Sequence, residues 1–172
     1  MDHLRTAIRE IPDFPKKGIL FRDITTLLKD GKLFREAVDI FFDRYATRGI
    51  TAVVGIESRG FLIGSALAYR LGCGIVPIRK AGKLPAATYT ASYALEYGED
   101  KIQIHQDALK PGEKVVLVDD LLATGGTMRA AVELLQRFDG IELVEVGFLI
   151  ELSDLKGRQQ LPDVNVFSAI CY

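Results

Sequence analysis

Two cysteines, two histidines and a net charge of −1 are all that this chain of 172 residues offers to several kinds of chemistry. Cys73 and Cys171 lie far apart, each in apolar company, so two buried free thiols are expected rather than a disulfide. His3 and His105 form no pair and neighbour no nucleophile motif, so neither is given a catalytic role; His105 is expected to be structural. No stretch has the spacing of a metal-ligand set. The near-neutral charge argues against the basic surface of a nucleic-acid binder and the polybasic patch of a membrane anchor, so cationic chemistry must come from local clusters. No apolar run is long enough to span a bilayer, and the opening MDHLRTAIREIPDFPKKG, polar and of mixed charge, reads as neither signal nor transit peptide. A cytoplasmic location is expected. Repeats, low-complexity tracts and dividing linkers are missing too, so one domain over 1–172 is expected.

What is present is ordinary globular composition, 48% apolar and 26% charged, arranged in a regular alternation. Residues 2–9 can make one or two helical turns, and IPDFPKKGILFRDIT (11–25), with two prolines and a glycine, reads as an irregular arm. Phe34, Ala37, Val38, Phe41, Phe42 and Tyr45 recur at helical spacing ahead of Gly49. Strands are predicted at 51–58, 74–80, 113–120, 142–151 and 164–170, and further helices at 61–72 and 127–138. Strand and helix in repetition predict an α/β fold, an open parallel sheet of about five strands with helices on both faces. The segment 81–105 breaks the scheme. Tyr89, Ala91, Tyr93 and Leu95 alternate with small or polar residues, as in a hairpin, and so long a connection has a function.

The stretch VVLVDDLLATGGT (115–127) concentrates the chemistry. Four apolar residues lead to Asp119 and Asp120, adjacent carboxylates that repel each other and lose hydration at the end of a buried strand. In a parallel sheet ligands bind at that end. Glycines then let successive N–H groups point into one concavity, the helix N-terminus adds partial positive charge, and Thr124 and Thr127 add hydroxyls. The turn suits a phosphate monoester, and the acceptor-only aspartates suit the hydroxyls of a sugar above it. The lysine of a P-loop and the G-x-G-x-x-G of a dinucleotide fold are both missing. A sugar phosphate is the ligand these residues point to.

That stretch resembles the phosphoribosyl pyrophosphate (PRPP) signature of the type I phosphoribosyltransferases. FPKKGILFRDITTLL (14–28), GIESRGFLIG (55–64), IRKAGKLP (78–85), ASYALEYG (91–98) and ELSDLKGR (151–158) are similar to the corresponding segments of the adenine phosphoribosyltransferases, over nearly the whole chain. The resemblance implies a single phosphoribosyltransferase domain, with 1–30 as a base-binding arm or hood and 81–105 as a flexible catalytic loop that closes as a lid. It implies purine salvage: transfer of phosphoribose from PRPP to N9 of adenine, giving AMP and pyrophosphate, with Mg2+ carried by PRPP. Carried over by position, Ala123, Thr124, Gly125, Gly126 and Thr127 would hold the 5′-phosphate. Asp119 and Asp120 would face the ribose and the Mg2+ shell through water, with no direct metal ligand from the protein. Ser58, Arg59, Arg79, Lys80 and Lys83 would receive pyrophosphate, partly across a homodimer interface, and a non-proline cis peptide is expected between Glu57 and Ser58. Glu96 and Tyr97 would form the catalytic-loop pair, with Glu96 handling the purine proton or stabilising the protonated base, and Arg59 would act beside them. Phe21 would stack on adenine, the backbone around Leu20 and Arg22 would read its edge, and Leu152 would cover the other face. Transfer to a 6-oxopurine or to orotate, and a PRPP-binding regulator without catalysis, are the alternatives; retention of Arg59 and Glu96 and the near-neutral charge speak against the regulator.

Overall fold

All five residues of β3 (Ala52–Ile56) are buried, as in a strand covered on both faces. Its neighbours explain why. It pairs in parallel with β4 (Gly74–Lys80) on one side and β7 (Lys114–Leu122) on the other; β7 continues in parallel to β8 (Glu142–Glu151), and β8 to β9 (Val166–Cys171). Side chains alternate between two cores. Val54, Val115 and Leu117 face one cluster, which holds Met128, Ala131 and Leu134 of α5 (Gly126–Leu135). Val53, Val116 and Val118 face the other, with Phe41 and Tyr45 of α3 (Gly31–Tyr45) and Ile63 and Leu67 of α4 (Arg59–Leu71). Asp30 caps α3, its carboxylate accepting from the Lys32 and Leu33 N–H groups at 2.9 and 3.1 Å. Gly72, left-handed at φ 70°, ends α4. The computed structural model describes residues 2–94 and 98–172.

The chain runs from β3 outward to β4 in one direction and from β7 to β8 in the other. The strand order therefore reverses between β3 and β7, and a crevice opens at their carboxyl ends. α4 and α5 both begin at that crevice.

Two regions differ from expectation. Among the described residues the sheet has seven strands rather than about five, because two segments of the expected lid join it: β5 (Thr88–Ala94) and β6 (Glu99–His105) pair antiparallel, and β6 adds antiparallel to β4 at Arg79↔Gln103 and Lys80↔Ile102. Ile102 and Ile104 are buried, and Tyr89 meets Phe138 edge to face at 5.3 Å, so the apolar face of the hairpin completes the core over α5. The expected arm is also more regular than its prolines indicate. After α1 (Asp2–Ala7), β1 (Arg9–Pro12) and β2 (Leu20–Asp23) form a hairpin with Arg9↔Asp23 and Pro12↔Leu20 in register. Pro12 ends a strand and Pro15, behind a cis Phe14–Pro15 bond, lies in the connection, so neither proline interrupts the ladder. One helical turn, α2 (Thr25–Leu28), follows, with the Asp23 carboxylate accepting from the Thr25 N–H and hydroxyl at 2.9 and 2.7 Å. The thiols differ as well: Cys73 is half-buried, and Cys171, on the edge strand β9, is exposed rather than buried. Among the described residues no helix is long and apolar enough to cross a membrane.

Candidate active site

At the carboxyl end of β7 the chain turns through Ala123–Gly125 into α5. Gly125 occupies φ 88°, and no side chain caps the helix start. A Cβ on Gly125 would stand 2.5 Å from the Gly157 carbonyl oxygen, and one on Gly157 would stand 2.3 Å from the Ala123 carbonyl oxygen. The loop is thus seated on bare backbone, and both partners must be glycine for the approach to occur. Residues 123–127, with Arg59, Asp119 and Asp120, enclose a cavity of about 150 Å³. A wider groove of about 360 Å³ lies between α5 and residues 159–164, behind this loop. Its Arg129 and Glu133 are paired to each other at 3.1 Å, and it carries no acid pair, so the smaller cavity is the candidate site.

The two aspartates are held differently. Asp120 is 5% exposed and receives the Arg59 Nε at 2.9 Å, while its own N–H donates to Asp119 Oδ1 at 2.8 Å. Burial, then the neighbouring Asp120, pushes the Asp119 carboxyl well above the ordinary carboxylate range. Burial also raises Asp120, with the Arg59 charge opposing it. Arg59 opens α4, and that first turn approaches β7 closely because the next residue is Gly60: a Cβ there would lie 2.9 Å from Asp119 Oδ1. The Arg59 guanidinium also faces the Phe21 ring at 5.4 Å, which Phe14 meets edge to face at 5.1 Å. Arg59 therefore spans from the acid pair to the arm. Leu152, just past β8, donates its N–H to the Leu122 carbonyl at 2.9 Å and so stands beside the same loop, and Leu20 is exposed on the arm. Arg22 pairs with Glu10 across the hairpin.

Three of the candidate cations are gathered elsewhere. Arg79 and Lys83 both bind Glu57, at 3.1 and 2.9 Å, and the Lys80 N–H donates to the same carboxylate at 3.1 Å. The Lys80 ammonium pairs with Asp100 at 2.8 Å, tying β4 to β6. Glu57 precedes Ser58 across the expected cis peptide, at the lip of the crevice. The sequence points to Glu57 only as one side of the cis peptide, not as the anchor of these cations. The signal is the β3–β4 register, Ile56↔Ile78, which sets residue 57 beside residue 79 and is visible only once the strands are paired. Tyr93 of β5 donates to Asp100 at 3.0 Å and also meets the Thr127 side chain, so the hairpin touches the phosphate-loop candidate directly. Glu96 and Tyr97 lie outside the described residues. Among the described residues no three His, Cys, Asp or Glu side chains gather as a metal site.

Arg79, first among the causes, holds Glu57 at about 2, below its ordinary 4.5, and Arg9 does the same for Asp23, at about 2 against 3.8. Both groups bind fewer protons folded than unfolded at acid pH. Their stabilisation is complete above the unfolded values and is lost as pH falls from about 4.5 toward about 2. Glu57→Gln is expected to flatten this acid limb in a series of thermal melts; an unchanged limb would show that the Glu57 cluster does not contribute to it.

A model of the phosphoribosyl transferase domain matches residues 23–170. The chain is 56% identical over 168 residues to the adenine phosphoribosyltransferase of Trichlorobacter lovleyi, covering 98% of each. This chain belongs to the phosphoribosyltransferases, in the adenine phosphoribosyltransferase family. Among solved structures, the adenine phosphoribosyltransferase of Thermoanaerobacter pseudethanolicus superposes with a TM-score of 0.94 at 47% identity, covering 99% of both chains. That of Saccharomyces cerevisiae, complexed with an imino-altritol bisphosphate and adenine, gives 0.92 at 41% identity over 98% of this chain and 97% of that one. The domain model begins at Asp23, the last residue of β2, so most of the arm precedes the span matched to phosphoribosyltransferases in general, whereas the adenine phosphoribosyltransferase relatives match through it.

Proposed function

We propose that the chain transfers the 5-phosphoribosyl group of PRPP to N9 of adenine, releasing AMP and pyrophosphate. The observation that carries this reading is a cavity in which an uncapped helix start on a bare-glycine loop faces an Arg59-paired aspartate couple. It provides donors for one phosphate and acceptors for vicinal hydroxyls at the right end of the sheet.

The 5′-phosphate sits in Ala123–Thr127, receiving N–H groups and the Thr124 and Thr127 hydroxyls. Asp119 and Asp120 accept from the ribose hydroxyls. Transfer breaks the C1′–O bond to pyrophosphate and forms C1′–N9, and the N9 proton of adenine is lost; Glu96, with Tyr97 beside it on the catalytic loop, takes that proton or stabilises the protonated base. The couple at 119 and 120, one member already paired with Arg59, fits a Mg2+ that reaches the site on PRPP with water in its remaining positions, rather than a resident ion. A Mg2+ held beside Asp119 and Asp120 would supply charge neutralisation to the diphosphate. Ser58 and Arg59 bound the pyrophosphate side, and Arg79, Lys80 and Lys83 supply its outer charge. Glu57 holds Arg79 and Lys83 in the structure, so pyrophosphate competes with a carboxylate for them. The hairpin excludes water from the oxocarbenium-like carbon. Phe21 stacks on adenine, Leu152 covers the other face, and the backbone around Leu20 and Arg22 reads the exocyclic amine; a carbonyl there rejects a 6-oxo group, which offers it no proton. The domain acts as one unit over 1–172, and a homodimer would cover Leu62 and Tyr69, exposed on α4.

The test is a spectrophotometric assay with PRPP, Mg2+ and each of adenine, hypoxanthine, guanine, xanthine and orotate. AMP from adenine alone is expected. Turnover of a 6-oxopurine or orotate in its place would overturn the base assignment, and PRPP binding without turnover of any base would identify a regulator.

A further inference from the structure

The two walls of the proposed base site come from distant parts of the chain: the arm with Phe21 and the segment after β8 with Leu152. Tyr172, one residue beyond β9, touches both. Its N–H donates to the Glu151 carbonyl and its carbonyl accepts from the Ser153 N–H, each at 2.9 Å, so its backbone brackets Leu152. Its ring lies beneath the Arg22 guanidinium, 3.8 Å from ring centroid to Cζ, with the Arg5 guanidinium at 5.0 Å. The Tyr172 hydroxyl donates to the Arg5 carbonyl at 3.2 Å, and the Arg5 side chain returns a hydrogen bond to the Cys171 carbonyl.

Arg22 is the residue after Phe21, its side chain is 13% exposed, and it is held on its other side by Glu10, its partner across the β1–β2 ladder. A planar guanidinium fixed between an aromatic face and a carboxylate has little freedom. An isolated two-stranded hairpin is marginal in water, so its orientation depends on what clasps it to the body of the protein. We infer that Tyr172 is a positioning residue for base binding: it sets the spacing of the adenine slot by joining the Leu152 wall, through its backbone, to the Phe21 wall, through Arg22. The inference rests on the base-site reading above and extends it to a residue that need not touch the base.

The experiment compares wild type, Tyr172→Ala and Tyr172→Phe in steady-state kinetics, with amide exchange on the same proteins. Tyr172→Ala is expected to raise the KM for adenine about tenfold, the scale of one cation–π contact, with kcat at saturating adenine and the KM for PRPP within about twofold. Tyr172→Phe keeps the ring under Arg22 and is expected to restore the adenine KM to within about twofold of wild type. Arg9–Asp23 amides should exchange about tenfold faster in Tyr172→Ala while those of β7 and α5 do not change. An unchanged adenine KM in Tyr172→Ala overturns the inference, as does a parallel loss for both substrates or a failure of Tyr172→Phe to rescue. If wild type makes no AMP from adenine, the functional reading fails on its own. Exchange in the arm then decides the clasp: faster exchange in Tyr172→Ala upholds it, and unchanged exchange ends it.

Discussion

Gly125→Ala raises the KM for PRPP about a hundredfold and leaves the KM for adenine, at saturating PRPP, within about threefold. Two penalties act at one Cβ. The residue sits at φ 88°, which costs an L side chain about 1–2 kcal/mol. The new carbon also meets the Gly157 carbonyl oxygen at 2.5 Å, and backbone has no rotamer by which to retreat. The loop must move instead, and the N–H groups that face the phosphate move with it. Gly157→Ala attacks the same contact from behind, at 2.3 Å from the Ala123 carbonyl, and is expected to give the same kinetic pattern. Steady-state kinetics with each substrate varied in turn checks both variants. A PRPP KM unchanged in both would place the phosphate elsewhere.

Arg59→Met is expected to lower kcat/KM about a thousandfold, ~4 kcal/mol of transition-state stabilisation. The magnitude follows from what is left behind. Asp120 is 5% exposed, and its cationic partner among the described residues, at 2.9 Å, would be gone, which costs several kcal/mol for a buried carboxylate unless it protonates. A protonated Asp120 no longer accepts freely from a ribose hydroxyl, and the guanidinium that faces Phe21 is lost with the same substitution. The sign of the pH effect is opposite to that of the Glu57 cluster. Burial already raises both aspartates, so the ionised forms are disfavoured in the folded protein, more so without Arg59. The gap in melting temperature between Arg59→Met and wild type should therefore narrow as pH falls, because the proton relieves the unpaired charge. A gap that widens on acidification would show that Arg59 stabilises the fold by some other contact.

The parallel sheet was legible because each of its strands is a short apolar run bounded by loop chemistry, and the helices between them keep a 3.6-residue stripe. The phosphate-loop candidate was legible for a related reason: paired acids and adjacent glycines at a strand end conflict with local stability, and such conflicts mark sites. The β1–β2 hairpin was not, since four-residue strands separated by prolines carry almost no period-2 signal. Gly157 and Glu57 were not legible for a deeper reason. The first owes its identity to an oxygen more than thirty residues away in the chain, and the second to the register of two strands. Nothing in ELSDLKGR or GIESRG alone records either approach.

The hydrogen bonding of β6 to β4 gives the hairpin a second duty, independent of any reaction. Without it the Arg79–Lys80 end of β4 would be a bare rim of unpaired amides and carbonyls, a template on which strands from other molecules could add. The same ribbon thus closes that end of β4 to strand addition.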